Sequence, residues 1–168
     1  FEYSPLGRPG LSPLDNPDRL QFSVSHSGGL VLLAFTRRVA VGVDVERVRM
    51  NADCDAIAGR FFAPMERRAL ASIAGPDRTA AFFACWTRKE ALLKAVGLGI
   101  SRGLARVAVT CRPGEAARVL DSDLAEIMPA AWTLFDLDTG PGFVAAVAVG
   151  ARAQQMPRQA CACAWKEG

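Results

Sequence analysis

VAVGVDVE, residues 39–46, alternates valine with smaller or acidic residues, and this alternation predicts a β-strand. β-Branched residues at period two favour extended structure, because their side chains pack well on a pleated surface. One face of this strand is purely apolar, whereas the other carries Asp44 and Glu46 behind Gly42. Two carboxylates at positions i and i+2 of a strand point the same way, about 7 Å apart.

The two adjacent acids of this strand have two interpretations. Like charges that close raise each other's pKa unless a cation lies between them, and Mg²⁺ takes one or two carboxylates together with substrate phosphates. Alternatively, residues 39–46 form an exposed edge strand whose polar face meets water. The strand alone does not decide between a metal site and a solvated edge.

Residues 77–96 predict a long helix. This segment contains no Gly or Pro, Gly75-Pro76 precedes it, and Gly97 follows it. Such flanking residues are typical of helix ends. Apolar side chains cover nearly the whole circumference, so the helix is predicted to be buried.

Glu90 and Lys94 lie at i and i+4 of the predicted helix, on the face of Trp86. The alternative is a simple pair of surface charges. That alternative suits Arg88 and Lys89 better than Glu90, because Glu90 lies between two apolar turns. Glu90 is therefore the stronger candidate for a functional acid.

FSVSHSGGLVLLAF, residues 22–35, predicts a strand that ends in SHSGG and is followed by a second strand over 30–36. Small hydroxyls and glycines let backbone N–H groups approach an anion, and His26 can donate to a phosphate. A lone histidine is more often a structural residue, so this motif alone leaves both interpretations open.

Together these motifs resemble a known family. SVSHSGG, VGVDVE and FFACWTRKEALLKAVGLGI occur in this order, with RFFAPME (Arg60–Glu66) between the last two and Gly7-Arg8-Pro9 upstream. They resemble the signature blocks of 4′-phosphopantetheinyl transferases, and the surfactin-synthetase-activating (Sfp-like) class most closely. The resemblance covers roughly residues 3–110 at the level of motifs.

The resemblance implies an activity, a cofactor and partners. These enzymes transfer the phosphopantetheine arm of coenzyme A to a serine of an apo acyl or peptidyl carrier protein and release 3′,5′-bisphosphoadenosine. Mg²⁺ is the implied cofactor and coenzyme A the substrate. Secondary-metabolite biosynthesis is the implied setting. The alternative is a non-catalytic fragment that binds coenzyme A or the carrier protein.

The resemblance also implies roles for particular residues. The metal-coordinating acids are Asp44, Glu46 and Glu90. The residues that bind the coenzyme are Arg8, Ser25, His26 and Lys94. The catalytic residues are Glu90, which activates the serine hydroxyl, and Lys94, which stabilises or protonates the departing phosphate. An in-line attack on a pyrophosphate needs such charge neutralisation on both sides.

The predicted elements describe an α+β fold with the 4′-phosphopantetheinyl transferase architecture, in which antiparallel strands pack on a long buried helix. The further predicted elements are strands at 21–25 and 104–111, helices at 52–62 and from Pro64, a hairpin of 131–137 with 142–149, and a loop at 1–20. The predicted organisation is a truncated N-terminal lobe (1–38), a complete C-terminal catalytic lobe (39–150) and a flexible tail (151–168). The truncation predicts an unpaired strand edge near residues 30–36.

Composition agrees with one compact domain of 168 residues, 51% of them hydrophobic. The net charge of +3 is too small and too evenly spread to predict nucleic-acid binding. No long apolar run predicts a membrane span or a secretory leader. Five cysteines without zinc-site spacing are typical of a reduced cytoplasm, which is the expected location.

Overall fold

The computed structural model describes residues 1–4, 7, 9–50, 53–99, 103–112 and 114–150, together with the backbone of 163–166. Its strands are β1 (Glu2–Tyr3), β2 (Pro9–Gly10), β3 (Leu20–Ser27), β4 (Leu30–Arg37), β5 (Val41–Arg47), β6 (Val107–Val109), β7 (Val119–Ser122), β8 (Thr133–Leu137), β9 (Phe143–Val149) and β10 (Cys163–Lys166). Its helices are α1 (Cys54–Phe61), α2 (Pro64–Ala71) and α3 (Pro76–Val96), with short 3₁₀ turns at Pro13–Asp15, Leu104–Arg106 and Pro129–Ala131.

Two three-stranded antiparallel sheets form the centre of the molecule. The first has the strand order β10-β4-β3 and the second the order β5-β9-β8. The valines of β5 pack against Leu30 and Leu32 of β4, so the two sheets share an apolar core. Helix α3 packs on the other side of the second sheet, where Ala146 and Ala148 of β9 join its core. The predicted α+β class is confirmed.

The β5 strand confirms the predicted division into two faces and excludes the solvated-edge interpretation. Both faces are covered, because the valine face lies on the first sheet and the face of Gly42 and Asp44 lies on α3. Asp44 is only 4% exposed. An acid this buried requires a partner or a ligand.

Helix α3 begins one residue before the predicted start and ends where predicted. The expectation that Arg88 and Lys89 lie on the surface is wrong, since they are 3% and 0% exposed. The reason is that α3 is covered on several sides, by β5 and β9, by α2 and by β6. At Arg88 and Lys89 the enclosed helix has no contact with solvent, so these charged side chains must find internal partners.

Several short elements differ from the prediction. The predicted strand at 104–111 begins as a 3₁₀ turn and is extended only over Val107–Val109. The strands β1, β2 and β7 occupy segments for which no strand was predicted. Each is only two to four residues long and is formed by pairing with another short strand.

The expected unpaired edge near residues 30–36 is wrong, because β4 pairs with β3 on one side and with β10 on the other. The strand β10 lies within the predicted flexible tail, and the rest of 151–168 lies outside the described residues, so the flexibility of this tail stays a prediction. The division into lobes at residue 38 stays a prediction. Within the described part of the chain, every helix is too short or too polar to cross a lipid bilayer.

Candidate active-site cleft

The tight turn at Gly28-Gly29 directs β4 back along β3 and leaves the SVSHS segment beside β5. Both glycines have positive φ angles, 53° and 83°, as a two-residue hairpin turn requires. The β3 strand runs parallel to β5, but side chains rather than carbonyls join the two strands. The Oγ atoms of Ser23, Ser25 and Ser27 accept hydrogen bonds from the backbone N–H groups of Val43, Val45 and Arg47, at 3.1, 3.3 and 3.1 Å.

Two of these serines also donate to the acids of β5. The Ser25 hydroxyl donates to Asp44 Oδ1 at 2.8 Å. The Ser27 hydroxyl donates to Glu46 Oε2 at 3.0 Å. The side chains of both predicted metal ligands on β5 are therefore held by β3.

Gly42 allows α3 to lie directly on β5. A Cβ atom at this position would be 1.9 Å from the carbonyl oxygen of Ala91 and 2.6 Å from the nitrogen of Ala95. Only glycine permits this approach of the two backbones. The approach places the Lys94 ammonium against Asp44, two residues beyond Gly42 on the same face of β5.

Lys94 is the cation of the cleft. Its Nζ donates to Asp44 Oδ1 at 2.7 Å, to Ser25 Oγ at 2.9 Å and to the carbonyl oxygen of Val43 at 3.3 Å. About a third of its side chain is exposed (32%), so the ammonium also faces the open side of the cleft.

The predicted site residues converge on one open cleft. Its volume is about 300 Å³, and its lining residues are Val24, Ser25, His26, Asp44, Val45, Glu46, Trp86, Glu90 and Lys94. All the predicted site residues except Arg8 line it; Arg8 lies outside the described residues. A second cleft of about 250 Å³ is lined partly by Gly7, Pro9, Phe22 and Leu98, and it shares Val24 and Lys94 with the first.

Burial and mutual repulsion raise the pKa values of the acids in this cleft. Burial raises the pKa of Asp44 above its usual value, and this effect outweighs the opposing attraction of Lys94. The pKa of Glu90 rises to about 7, chiefly through burial and then through the charge of Asp44, with Lys94 opposing the shift. Perturbed carboxyl groups that face an open cleft are candidates for functional residues.

Two carboxylate oxygens of the cleft have no hydrogen-bond partner. Among the described residues, Asp44 Oδ2 and Glu90 Oε1 are buried without one. Buried polar atoms are nearly always hydrogen-bonded, so such exceptions call for an explanation. A bound cation would supply the missing partner, and oxygen donors of this kind are the ligands that Mg²⁺ prefers.

The donor chemistry thus fits a divalent cation, but a complete metal site is not formed. The described ranges contain no group of three or more His, Cys, Asp or Glu side chains arranged to hold a metal ion. One oxygen of Asp44 is taken by Lys94, and Glu46 Oε2 is taken by Ser27. The assignment of Asp44, Glu46 and Glu90 as ligands therefore stays a prediction, and so do the coenzyme-binding and catalytic assignments.

The sequence pattern missed some residues of the site. Ser23 and Ser27 were not singled out, although serines at three alternate positions of a strand share one face. Ser25, predicted to contact the coenzyme, has its hydroxyl engaged by Asp44, Lys94 and the N–H of Val45.

Comparison with known proteins identifies the family. Residues 40–148 match the model of the 4′-phosphopantetheinyl transferase superfamily. The chain is 36% identical over 149 residues to the 4′-phosphopantetheinyl transferase HetI of Nostoc sp., which covers 89% of this chain and 60% of that protein. It is 38% identical over 104 residues to the 4′-phosphopantetheinyl transferase psf-1 of Bacillus pumilus, which covers 62% of this chain and 42% of that protein.

The solved structures show a shared fold. A holo-(acyl-carrier-protein) synthase from Bacillus anthracis, solved in complex with coenzyme A (3′,5′-ADP), superimposes with a TM-score of 0.51 at 20% identity, covering 68% of this chain and 98% of that chain. The chain spans less than two thirds of the length of the two curated relatives described above. The matched region contains β5, α3 and the acids between them, and the chain belongs to the 4′-phosphopantetheinyl transferase superfamily.

Proposed function

We propose that this chain transfers the 4′-phosphopantetheine arm of coenzyme A to a serine hydroxyl of an apo acyl or peptidyl carrier protein. The observation that carries the proposal is the cleft in which Asp44, Glu46 and Glu90 face one another beside Lys94, with two buried carboxylate oxygens left without partners. Three acids and one cation suit a pyrophosphate only if a further cation offsets their charge. The homologous proteins from Nostoc and Bacillus pumilus, named as transferases of this kind, support the same reaction.

In this reaction the serine oxygen attacks the phosphorus that carries the pantetheine arm. A new O–P bond forms, and the bond from that phosphorus to the bridging oxygen of the pyrophosphate breaks. Bisphosphoadenosine leaves with the electron pair, and the serine proton passes to a base. The enzyme must therefore orient the pyrophosphate, accept one proton and stabilise charge on the leaving phosphate.

The residues of the cleft match these tasks. Glu90, which lines the cleft beside Lys94, accepts the serine proton directly or through a water molecule. Lys94 donates to the leaving phosphate from the open side of the cleft. His26, exposed at the end of β3, donates to a phosphate oxygen of the coenzyme.

Asp44, Glu46 and Glu90 would hold Mg²⁺. When bound, this ion offsets the charge of the pyrophosphate and acts as a Lewis acid. Asp44 also keeps the Lys94 ammonium beside the acids, through the ion pair at 2.7 Å. We assign the chain to the Sfp-like class on the SHSGG motif and on the second acid, Glu46. We place the reaction in the cytoplasm, a proposal supported by free thiols at Cys54, Cys85 and Cys111.

Intact-mass measurement of an apo carrier protein tests the proposal. With the wild-type chain, coenzyme A and Mg²⁺, the carrier protein gains the mass of one phosphopantetheine arm. Asp44→Ala and Glu90→Ala abolish the gain, whereas Glu126→Ala, which removes an exposed acid that does not line the cleft, keeps it. Equal transfer by the wild type and both cleft variants would overturn the site assignment.

Two other outcomes identify competing functions. Calorimetric binding of coenzyme A without any mass gain on the carrier protein would indicate a non-catalytic binding protein. Release of bisphosphoadenosine from coenzyme A in the absence of a carrier protein would indicate a phosphohydrolase. Both outcomes contradict the transferase.

A further inference from the structure

We propose that the hydroxyl groups of Ser23, Ser25 and Ser27 form a ladder between β3 and β5. This hydroxyl ladder fixes the register of the two strands and also orients the acids of β5. Within it, Ser27 is a positioning residue for Glu46. The inference rests on the proposed function, because it assigns Glu46 to the ion that the transfer needs. It adds Ser23 and Ser27 to the site, two residues to which the resemblance gives no role.

The ladder exists because, within the described part of the chain, one edge of β5 has no backbone partner. The other edge pairs with β9 along its whole length, from Val41 to Arg47. On the β3 side the N–H groups of Val43 and Val45 are buried and would lack an acceptor without the serines, whereas the N–H of Arg47 lies at the exposed end of the strand. An unpaired buried N–H costs about 1–3 kcal/mol, so serines at alternate positions of β3 stabilise the junction of the two sheets.

Each rung of the ladder has the same geometry. A serine hydroxyl accepts from the N–H of one β5 residue and faces the residue immediately before it. For Ser25 that preceding residue is Asp44, and for Ser27 it is Glu46; both receive a hydrogen bond from the serine. A hydroxyl can accept and donate at once, so one atom sets both the strand register and the direction of the carboxylate.

Ser23 provides a natural internal control. It accepts from the N–H of Val43 at 3.1 Å, but the preceding residue on β5 is Gly42, which has no side chain. Removal of the Ser23 hydroxyl therefore unpairs one β5 N–H and disturbs no carboxylate. Removal of the Ser27 hydroxyl unpairs one β5 N–H and also releases Glu46.

Ser27 tests the inference better than Ser25. The Ser25 hydroxyl contacts both Asp44 and Lys94, so its loss would change two candidate residues at once. Among the described residues, the carboxylate of Glu46 has the Ser27 hydroxyl as its only hydrogen-bond partner. Glu46 is also only partly buried, so that without Ser27 neither packing nor another hydrogen bond fixes the carboxylate.

Ligands that hold an ion depend on such supporting hydrogen bonds, and loss of one typically weakens metal affinity by about 10- to 100-fold. The experiment is a calorimetric Mn²⁺ titration of the full chain with coenzyme A present, on the wild type, Ser27→Ala, Ser23→Ala and Ser27→Thr. We expect Ser27→Ala to weaken Mn²⁺ binding about 10-fold and Ser23→Ala to change it less than about twofold. Ser27→Thr keeps a hydroxyl on the strand and should restore most of the affinity.

Thermal unfolding without metal distinguishes a loss of Glu46 positioning from a loss of overall stability. Ser23→Ala loses a buried β5 hydrogen bond and Ser27→Ala an exposed one, so Ser23→Ala should lower the Tm at least as much as Ser27→Ala. A loss of Mn²⁺ affinity confined to Ser27→Ala then reports positioning of Glu46 and not loss of stability. Equal loss of Mn²⁺ affinity in the two alanine variants, or no rescue by Ser27→Thr, would overturn the positioning role. A wild type that binds Mn²⁺ yet never modifies a carrier protein would instead overturn the proposed function, while the comparison of the two serines would still decide the ladder.

Discussion

Two of the clusters of buried charge on helix α3 differ in how many of their polar atoms have hydrogen-bond partners. In the first, Glu66 accepts from the N–H groups of Val109 and Ala63 at 2.8 and 2.7 Å and also from the ammonium of Lys89. Lys89 donates further to the carbonyl oxygen of Val107 at 2.7 Å. Both carboxylate oxygens of Glu66 are thus occupied.

The second cluster is the acid cleft, where the acids are about as buried as Glu66 but do not have hydrogen bonds to all of their oxygens. Asp44 and Glu90 are 4% and 5% exposed, yet each keeps one buried oxygen without a partner. A fully paired buried charge contributes to structure, whereas an unpaired one costs stability that folding alone does not recover. This difference indicates that Glu66 and Lys89 support the fold, whereas we propose that the unpaired oxygens of Asp44 and Glu90 bind a cation.

Breaking the satisfied cluster should have the largest effect. Lys89→Met keeps much of the side-chain volume but leaves Glu66 buried without its cation, which costs about 3–5 kcal/mol in the free energy of unfolding. Lys94→Met in the same helix leaves Asp44 without its cation, but Lys94 is about a third exposed (32%) and Asp44, whose pKa is already raised, can take up a proton. We therefore expect a smaller loss, of about 1–3 kcal/mol. Urea unfolding of both variants measures the difference. Equal losses would contradict the contrast between the clusters.

The next largest effect should follow from separating the two elements that form the cleft. Gly42→Ala places a Cβ against the backbone of Ala91, which cannot move as a side chain could, so we expect a loss of about 3 kcal/mol in unfolding free energy. Gly59→Ala in α1 meets no atom within 4 Å and should stabilise the protein by about 0.5–1 kcal/mol. Urea unfolding gives both values. A neutral Gly42→Ala would show that β5 and α3 do not approach this closely.

Removal of one charge from the unsatisfied cluster should affect the reaction more than the fold. Asp44→Asn is nearly isosteric but weakens the ion pair with Lys94 and the proposed ion site, so we expect kcat to fall at least about 100-fold, or about 2.7 kcal/mol. Asp123→Asn, at an exposed pair with Arg106, should leave kcat unchanged. Steady-state rates of carrier-protein modification measure both. A similar decrease of kcat in the two variants would contradict a specific role of Asp44 in the reaction.

The smallest effect concerns stability against pH. Because the pKa of Glu90 is raised from 4.5 to about 7, the folded state retains this proton more strongly than the unfolded state. Stability from this group is therefore present below about pH 4.5 and declines as the pH rises towards 7. Glu90→Gln cannot ionise, so without metal it should be more stable than the wild type at pH 8, by roughly 2 kcal/mol or less, and nearly equal to it at pH 5.

Urea unfolding in a chelator at the two pH values checks this prediction. A constant difference between the wild type and Glu90→Gln from pH 5 to pH 8 would contradict the raised pKa. A Glu126→Gln variant controls for the loss of an acid on the exposed surface, and its effect should be small at both pH values.

Local patterns in the sequence were sufficient to predict the elements that form the cleft. The alternation over 39–46 predicted β5 and both of its faces, and the uninterrupted segment 77–96 predicted α3 to within one residue. Both patterns depend only on residues close together in the sequence, so they can be recognised without knowing the tertiary structure. The convergence of Asp44 and Glu90 then depended on the resemblance, since periodicity does not reveal which strand a helix covers.

Contacts between residues distant in the sequence could not be predicted. The Glu66–Lys89 pair joins residues 23 positions apart, and β10 pairs with a strand more than 120 residues before it. The residues next to Lys89 and Glu66 in the sequence do not predict that these side chains are buried. Each becomes buried only when α2, β6 and α3 pack together. The serine ladder was readable in principle from SVSHS, but its partner strand was not.

Thermal unfolding with coenzyme A present, in Mg²⁺ or in a chelator, tests most directly whether the acid cleft is a cation site. A ligand that binds only the folded state stabilises it, so Mg²⁺ should raise the Tm of the wild type. The same ion should leave the Tm of Asp44→Asn and Glu90→Gln unchanged, and it should still raise that of Glu126→Gln. An equal rise in all four proteins, or none in the wild type, would contradict the account.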